Sequence, residues 1–257
     1  MPSTNKPYAD APTPRTTSFP DSLAFLDFKN EVSLCSRYLG SAKGEQFLRA
    51  VAHSCKDRLR ALPASETFWR AQVGHEWILD SDRGSRVRGP HPETRMRPLQ
   101  DRAYEGRVNP KGIPCLYLAT TRDVAMSEVR PWLGSVVSVA QFQLRRELTV
   151  VDCSVFHGAE VPHVVAPTSE DVERTVWAHI DHAFSRPVTR SDNTAEYAAT
   201  QILAEVFRSE GYDGIIYKSA FSVEGYNIAL FDLDCAHQTD SSIFEVRNAV
   251  FEFRELK

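Results

Sequence analysis

The chain has 257 residues, a formal net charge of −4, a hydrophobic content of 42% and a charged content of 25%. These values are typical of a soluble globular protein with one sizeable domain or two small ones. The acidic balance argues against a protein that binds nucleic acid directly through bulk positive charge. The five cysteines are scattered, without a CxxC pair or a close Cys/His spacing. We therefore expect reduced core thiols in a reducing compartment.

No apolar run is long enough to span a bilayer, and the N-terminus lacks the apolar core of a signal peptide. We therefore predict a soluble, cytoplasmic protein with no membrane partner. Residues 1–21 are rich in Pro, Ser and Thr, which is typical of a flexible tail. Two helices are predicted over residues 22–39 and 43–62, so that residues 22–65 form a helical extension packed on the main domain. The same helices could equally be a docking surface for a partner.

The stretch from residue 104 to residue 130 carries the strongest local signals. Residues 106–112 (GRVNPKG) have turn chemistry, with glycine and proline as its punctuation, and residues 115–118 (CLYL) indicate a buried strand. Thr120 followed by Asp123 resembles a capping box, which predicts a helix that begins near residue 121 and ends before Pro131.

This short unit brings three kinds of side chain together. Arg107 lies in the turn, Tyr117 on the strand and Glu128 about two turns into the predicted helix. A cation, an aromatic ring and a carboxylate in one unit suit an anionic ligand that carries a ring. The alternatives are structural: Tyr117 in the core, and Glu128 paired with Arg107 or Arg130.

Arg70 lies in an apolar strand predicted over residues 66–77, where an unpaired charge would be costly. It either closes a structural ion pair or grips a phosphate or substrate oxygen with its forked guanidinium. Residues 83–102 are predicted to be a loop that holds six arginines. That loop is either a solvated segment or one that folds over an anionic ligand.

The remaining elements alternate between the periodicities of strands and helices. Strands are predicted over residues 136–144, 148–152, 214–219, 226–232 and 242–253, and helices over residues 171–184 and 194–210. Together they predict an α+β fold around a mostly antiparallel sheet. His179 and His182 have the spacing of two metal ligands, but no third ligand is evident nearby, so no metal site is predicted.

Several common catalytic motifs are missing. The chain has no GxSxG elbow, no GxxxxGK[ST] loop, no GxGxxG after a strand and no HExxH. A serine hydrolase, a P-loop enzyme, a Rossmann dehydrogenase and a zincin are therefore disfavoured. Cys115 lies inside a predicted strand, which favours a core role over that of a nucleophile.

Three segments together resemble the RES-domain family, which is named after an arginine, a glutamate and a serine. They are FWRAQ, GRVNPKGIPCLYLATTRDVAMSEV and the later GYDGIIYKS with GYNIALF, and they cover roughly residues 66–232. The chain departs from compact members of that family in its N-terminal extension and in the long stretch between Glu128 and Ser219.

The resemblance implies an NAD-degrading toxin of a toxin–antitoxin pair, with a fold related to ADP-ribosyltransferases. It assigns residues 66–257 to a RES-like catalytic domain, with NAD as substrate, no cofactor, no metal and a possible Xre-type antitoxin as partner. It also assigns roles to six residues. The catalytic residues are Arg70, Glu128 and Ser219, and the substrate-binding residues are Arg107, Tyr117 and Asn227.

The implied reaction is cleavage of the nicotinamide–ribose bond of NAD by a glycohydrolase or a phosphorylase. Two alternatives remain open at the level of the sequence. One is a protein ADP-ribosyltransferase, and the other is a non-catalytic nucleotide-binding or interaction module that keeps the fold. Ser219 also has a purely structural alternative, in which it only caps a turn.

Overall fold

The computed structural model describes residues 18–100, 103–158, 166–186, 194–250, 253 and 255. These residues form six α-helices, and short π- or 3-10 segments lie at residues 31–35, 55–58, 194–197 and 233–235. The helices are α1 (Ala24–Asn30), α2 (Ala42–Ser54), α3 (Glu93–Met96), α4 (Arg122–Glu128), α5 (Ser169–Ser185) and α6 (Ala198–Ser209). Within the described residues, no helix has the length and apolar character that crossing a membrane requires.

The strands form one eight-stranded sheet and one separate hairpin. They are β1 (Leu59–Leu62), β2 (Thr67–Val73), β3 (Glu76–Asp80), β4 (Ser85–Gly89), β5 (Leu116–Ala119), β6 (Val136–Leu144), β7 (Leu148–Asp152), β8 (Gly214–Lys218), β9 (Tyr226–Leu230) and β10 (Ala236–Glu245). The large sheet has the order β1-β7-β8-β9-β5-β2-β6-β10, and β3 pairs with β4. All of its neighbouring pairs are antiparallel except β7 and β8. The predicted α+β fold with a mostly antiparallel sheet is therefore confirmed.

The sheet is buried on both faces. Helices α1, α2, α5 and α6 pack on one face with Trp177, Phe207 and Tyr217 in their shared core. Phe68, Phe142 and Leu118 belong to a second cluster, whereas Trp69 and Ala71 join Val124 of α4 in a third. Because side chains alternate along a strand, β2 presents Phe68 and Arg70 to one face and Trp69 and Ala71 to the other.

The N-terminal segment differs from its prediction. Helix α2 ends at Ser54, and residues 59–62 form β1 instead of a last helical turn. β1 pairs with β7 at the edge of the large sheet, so the segment predicted as a helical extension supplies both helices and a strand. Most of the predicted tail lies outside the described residues, but Phe19 is buried and packs on Phe47.

Two further boundaries were wrong. The predicted strand over residues 66–77 stops at Val73, and residues 76–89 form the β3–β4 hairpin, part of which was predicted as an arginine-rich loop. The last strand, β10, spans Ala236–Glu245 rather than residues 242–253. By contrast, β6 and β7 have the predicted bounds, and α5 and α6 lie where helices were predicted.

Candidate active site

Glu128 is the last residue of α4, and its carboxylate faces the ends of β8 and β9. The cap is Thr121 rather than the predicted Thr120, because the Thr121 side chain accepts the hydrogen bond from the Val124 amide at 3.2 Å, and the helix begins at the next residue. Thr120 instead ties β5 to β9, since its hydroxyl accepts from the Tyr226 amide at 3.0 Å. A side-chain cap of this kind satisfies an amide that the first helical turn leaves unpaired.

The carboxylate of Glu128 is held by two neutral donors. The Ser219 hydroxyl donates to Oε1 at 2.8 Å, and the Asn227 amide donates to the same oxygen at 2.5 Å. Ser219 directly follows β8 and Asn227 lies in β9, so the β8–β9 pair delivers both groups to one point. Three residues that were assigned from the sequence therefore meet in one cluster.

The other oxygen of Glu128, Oε2, has no hydrogen-bond donor among the described residues. Glu128 is half-buried, whereas Ser219 and Asn227 are buried. The hydrogen-bond partners of Glu128 Oε1 are a hydroxyl and an amide. Neither is the guanidinium that the ion-pair alternative required. Ser219 does cap a turn, since its oxygen also accepts from the Phe221 amide at 3.2 Å, but that bond coexists with the bond to Glu128.

Tyr117 holds the loop that carries Arg107. Its hydroxyl donates to Asn109 Oδ1 at 2.7 Å and accepts from the Val108 amide at 3.0 Å. Burial raises the pKa of this phenol well above its usual value. The hydroxyl is therefore a neutral group that is fully engaged with the loop, while the ring packs beside the main core.

Arg107 reaches towards the same face of the sheet as Glu128. Its Nη2 donates to the Arg186 carbonyl at 2.8 Å, and its Cζ lies 5.4 Å from the centre of the Tyr217 ring. Its Nε is buried and has no hydrogen-bond partner among the residues that the structure describes. A buried donor without a partner is unfavourable, so this guanidinium favours an incoming acceptor.

Tyr217 is a site residue that the sequence analysis missed. It is 4% exposed, lies opposite Asn227 in the β8–β9 register, and precedes Ser219 by two residues. Burial raises the pKa of the Tyr217 phenol to about 12; the charge of Arg107 and a side-chain hydrogen bond with it act in the opposite direction, while the charge of Glu128 raises the pKa further. The signal in the sequence was the strand periodicity itself, because residues two apart on a strand share a face.

Arg70 lies in a neighbouring cleft. Its Nη1 donates to the Tyr117 carbonyl at 3.0 Å, its Nε is buried without a partner, and burial lowers its pKa to about 10. Among the described residues no carboxylate lies within ion-pair distance, so the ion-pair alternative fails. The cleft has a volume of about 640 Å³, and Gln72, Arg95 and Tyr104 line it together with Arg70 and Tyr117.

The assigned residues thus occupy two adjoining places. Arg70 pairs in register with Ala140 and lies on the face of β2 turned away from α4, and Glu128 is not among the residues that line its cleft. Tyr117 adjoins both places, because its carbonyl accepts from Arg70 while its ring packs in the core that contains Tyr217. Over the described part of the chain, no three His, Cys, Asp or Glu side chains are arranged to hold a metal ion.

No curated protein matches the sequence. Among solved structures, the fold matches the MbcT–MbcA toxin–antitoxin complex of M. tuberculosis with a TM-score of 0.40 and 16% sequence identity, over 76% of this chain and 92% of that chain. The family model described as RES domain matches residues 67–248, which is more than half of the chain. The match contains every residue of the Glu128 cluster as well as Arg70 and Arg107, and on this ground the chain belongs to the RES-domain family.

Proposed function

We propose that this protein is an NAD-consuming enzyme that cleaves the nicotinamide–ribose bond, by hydrolysis or phosphorolysis, and that it acts as a toxin. The observation that carries the proposal is the state of Glu128. One carboxylate oxygen is fixed by Ser219 and Asn227, while the other has no donor among the described residues. A carboxylate held in this way is ready to interact with a ligand.

The reaction places positive charge where a carboxylate is useful. The bond between C1′ of the ribose and the nicotinamide nitrogen breaks, and its electron pair leaves with nicotinamide, which departs as a neutral molecule. An oxygen of water or of phosphate then bonds to C1′, and the nucleophile releases its proton. Glu128 stabilises the oxocarbenium-like ribose electrostatically or through a ribose hydroxyl. Ser219 and Asn227 keep that carboxylate in place.

The phosphates of NAD need donors, and Arg107 can supply one, because it reaches towards the face of the sheet that carries Glu128. Its buried Nε has no hydrogen-bond partner and it forms no ion pair among the described residues. Arg70 lies on the face of β2 turned away from α4, in a separate cleft, so the scheme does not use the catalytic role that the resemblance assigned to it. Charge-assisted bonds between guanidinium and phosphate are among the strongest in proteins. NAD is the substrate here, and the scheme uses no other cofactor and no metal.

The proposed partner is an antitoxin, of the Xre type that accompanies RES-domain toxins. Expression of the chain alone should then arrest growth, and the Glu128→Gln variant should relieve the arrest. A cell that grows normally while it makes the soluble wild-type chain would contradict the toxin assignment.

The reaction itself is tested by incubating the purified full chain with NAD and separating the products. We expect wild-type protein to release nicotinamide, and Glu128→Gln to lower kcat on the order of 10²–10³ because one electrostatic stabiliser is lost. Glu205→Gln is the matched control, since Glu205 is exposed on α6. Circular dichroism spectra of both variants test whether the fold survives each substitution. Wild-type turnover in Glu128→Gln would rule out its assigned role.

The products separate the remaining reactions. A product that carries phosphate on C1′ of the ribose, and that appears only when phosphate is added, identifies phosphorolysis. ADP-ribose formed without added phosphate identifies hydrolysis. A labelled protein acceptor identifies an ADP-ribosyltransferase. Binding of NAD without release of nicotinamide would instead identify a non-catalytic module and overturn the proposed reaction.

A further inference from the structure

The loop that carries Arg107, residues 103–115, is fastened to helix α6 by three hydrogen bonds around one residue. The Gln201 amide donates to the Gly106 carbonyl at 2.9 Å and to the Asn109 carbonyl at 3.1 Å. The Thr200 hydroxyl donates to the carbonyl of Arg107 itself at 2.7 Å and lies at the longer distance of 3.0 Å from the Tyr197 carbonyl, so the shorter bond goes to the loop. The backbone is thus fixed before, at and after Arg107.

Thr200 and Gln201 are polar residues at buried positions of α6. Thr200 is 2% exposed and Gln201 is 6% exposed, whereas their buried neighbours on α6 include Ala199, Leu203 and Phe207. Burying a polar side chain is unfavourable unless its hydrogen bonds are made. Here the bonds are made, and most of them go to the Arg107 loop rather than to the helix.

The side chain of Arg107 is oriented as well, yet it keeps binding capacity. Its Nη2 is bonded to the Arg186 carbonyl, and its Cζ lies 5.4 Å from the centre of the Tyr217 ring. Its buried Nε has no hydrogen-bond partner within the described part of the chain. The residue is therefore preset in one conformation with a donor left over, which is the condition that lowers the ordering cost of binding an anion.

We infer that Thr200 and Gln201 are positioning residues that hold Arg107 in the conformation that binds the phosphates of the ligand. This inference rests on the proposed function, in which that ligand is NAD. Neither side chain needs to touch the ligand, because each acts through the backbone of the Arg107 loop.

The test is calorimetric binding of ADP-ribose, which contains the phosphates but lacks nicotinamide, to the full chain. We expect Thr200→Val and Gln201→Leu each to raise the Kd by roughly tenfold, whereas Thr200→Ser keeps the hydroxyl and restores wild-type binding. Thr175→Val is the matched control. It removes the hydroxyl of another buried helical threonine, which bonds to the Asp171 carbonyl at 2.8 Å within α5.

A second comparison separates positioning from simple loss of stability. In an Arg107→Gln background, Thr200→Val should add no further loss of affinity, because both changes remove the same interaction. An additive loss, or a Kd in Thr200→Val that equals the Kd of the Thr175→Val control, would overturn the inference.

Nicotinamide release is measured on the same preparations. Wild-type protein that binds ADP-ribose but releases no nicotinamide from NAD would end the proposed reaction, and the comparison of binding would still decide the positioning role. Wild-type protein that does not bind ADP-ribose would overturn the positioning role, and nicotinamide release would still decide the proposed reaction. In an active enzyme the expected signature of the α6 variants is a raised KM with little change in kcat.

Discussion

Tyr117 illustrates how one atom can support a whole loop. The family resemblance assigned this residue to substrate binding, and the structural alternative placed it in the core. In the structure its hydroxyl serves Asn109 and the Val108 amide, and Asn109 in turn donates to the carbonyls of Tyr104, Pro110 and Ile113. A phenol in a strand is compatible with either role, so only its neighbours could distinguish them.

Replacing this hydroxyl should destabilise the protein. Tyr117→Phe leaves the Val108 amide and Asn109 Oδ1 without their partner, and such buried groups cost about 1–3 kcal/mol. The expected result is a lower free energy of unfolding in urea. Tyr38→Phe, at a side chain that is 91% exposed, should leave it unchanged. Equal unfolding midpoints for Tyr117→Phe and wild type would contradict the role of the hydroxyl.

Arg70 shows which part of a residue's role the sequence could indicate. A charge inside an apolar strand requires a partner, and this much followed from the pattern of β2. The structure supplies a carbonyl instead of a carboxylate and leaves Nε unpaired. Its position on the face turned away from α4 depends on the register of β2 with β6, which no local pattern encodes.

At the scale of elements, α4 packs on β2, β5 and β6, and it also touches the turn between β8 and β9. Gly225 in that turn lies so close to Val124 of α4 that a Cβ atom there would overlap its side chain. Because Glu128 is the last residue of α4, the packing of this turn sets the position of the carboxylate.

Gly225→Ala should therefore lower both stability and nicotinamide release. Overpacking of this kind typically costs about 1–3 kcal/mol, and the displaced helix carries Glu128 with it. Thermal unfolding and product analysis provide the two measurements. Gly40→Ala is the control, because a Cβ at Gly40 would have its nearest neighbour at 3.9 Å. Unchanged turnover in Gly225→Ala would show that the fit between turn and helix is not needed.

The sequence predicted best those elements in which the apolar residues of the pattern are also the buried residues of the structure. β6 and β7 alternate or run apolar inside the sheet, and α5 begins at a capping box formed by Thr168 and Asp171. The β3–β4 hairpin was missed because Trp77, Ile78 and Leu79 are exposed, so their apolar character does not report a buried face. β1 was missed because its four residues directly follow a helical pattern.

For the whole molecule, the four buried cysteines predict sensitivity to alkaline pH. Burial raises the pKa of Cys55 and Cys115 to about 11 and of Cys235 to about 12, and it raises that of Cys153 well above its usual value. An unfolded thiol, with a pKa of about 9, loses its proton first. The unfolded state then binds fewer protons than the native state, so stability falls as pH rises above about 9.

Urea unfolding at pH 8, 9 and 10 measures this effect. Each such thiol should contribute a slope of up to about 1.4 kcal/mol per pH unit above pH 9. Cys115→Ala should make the decline shallower, and Cys35→Ala, which changes an exposed thiol, should keep the wild-type slope. Identical slopes in all three proteins would show that burial of Cys115 does not hold its proton.

The sequence by itself determined the fold class through hydrophobic periodicity and indicated the family through short motifs, because both are local properties of the chain. The residues that meet around Glu128 followed from the resemblance to that family. The tertiary structure alone decided the face on which Arg70 lies, the use of the Tyr117 hydroxyl, and the bonds from Thr200 and Gln201 to the Arg107 loop. Those features depend on strand register and on contacts between segments far apart along the chain. Such contacts form only when the sheet and its helices pack together.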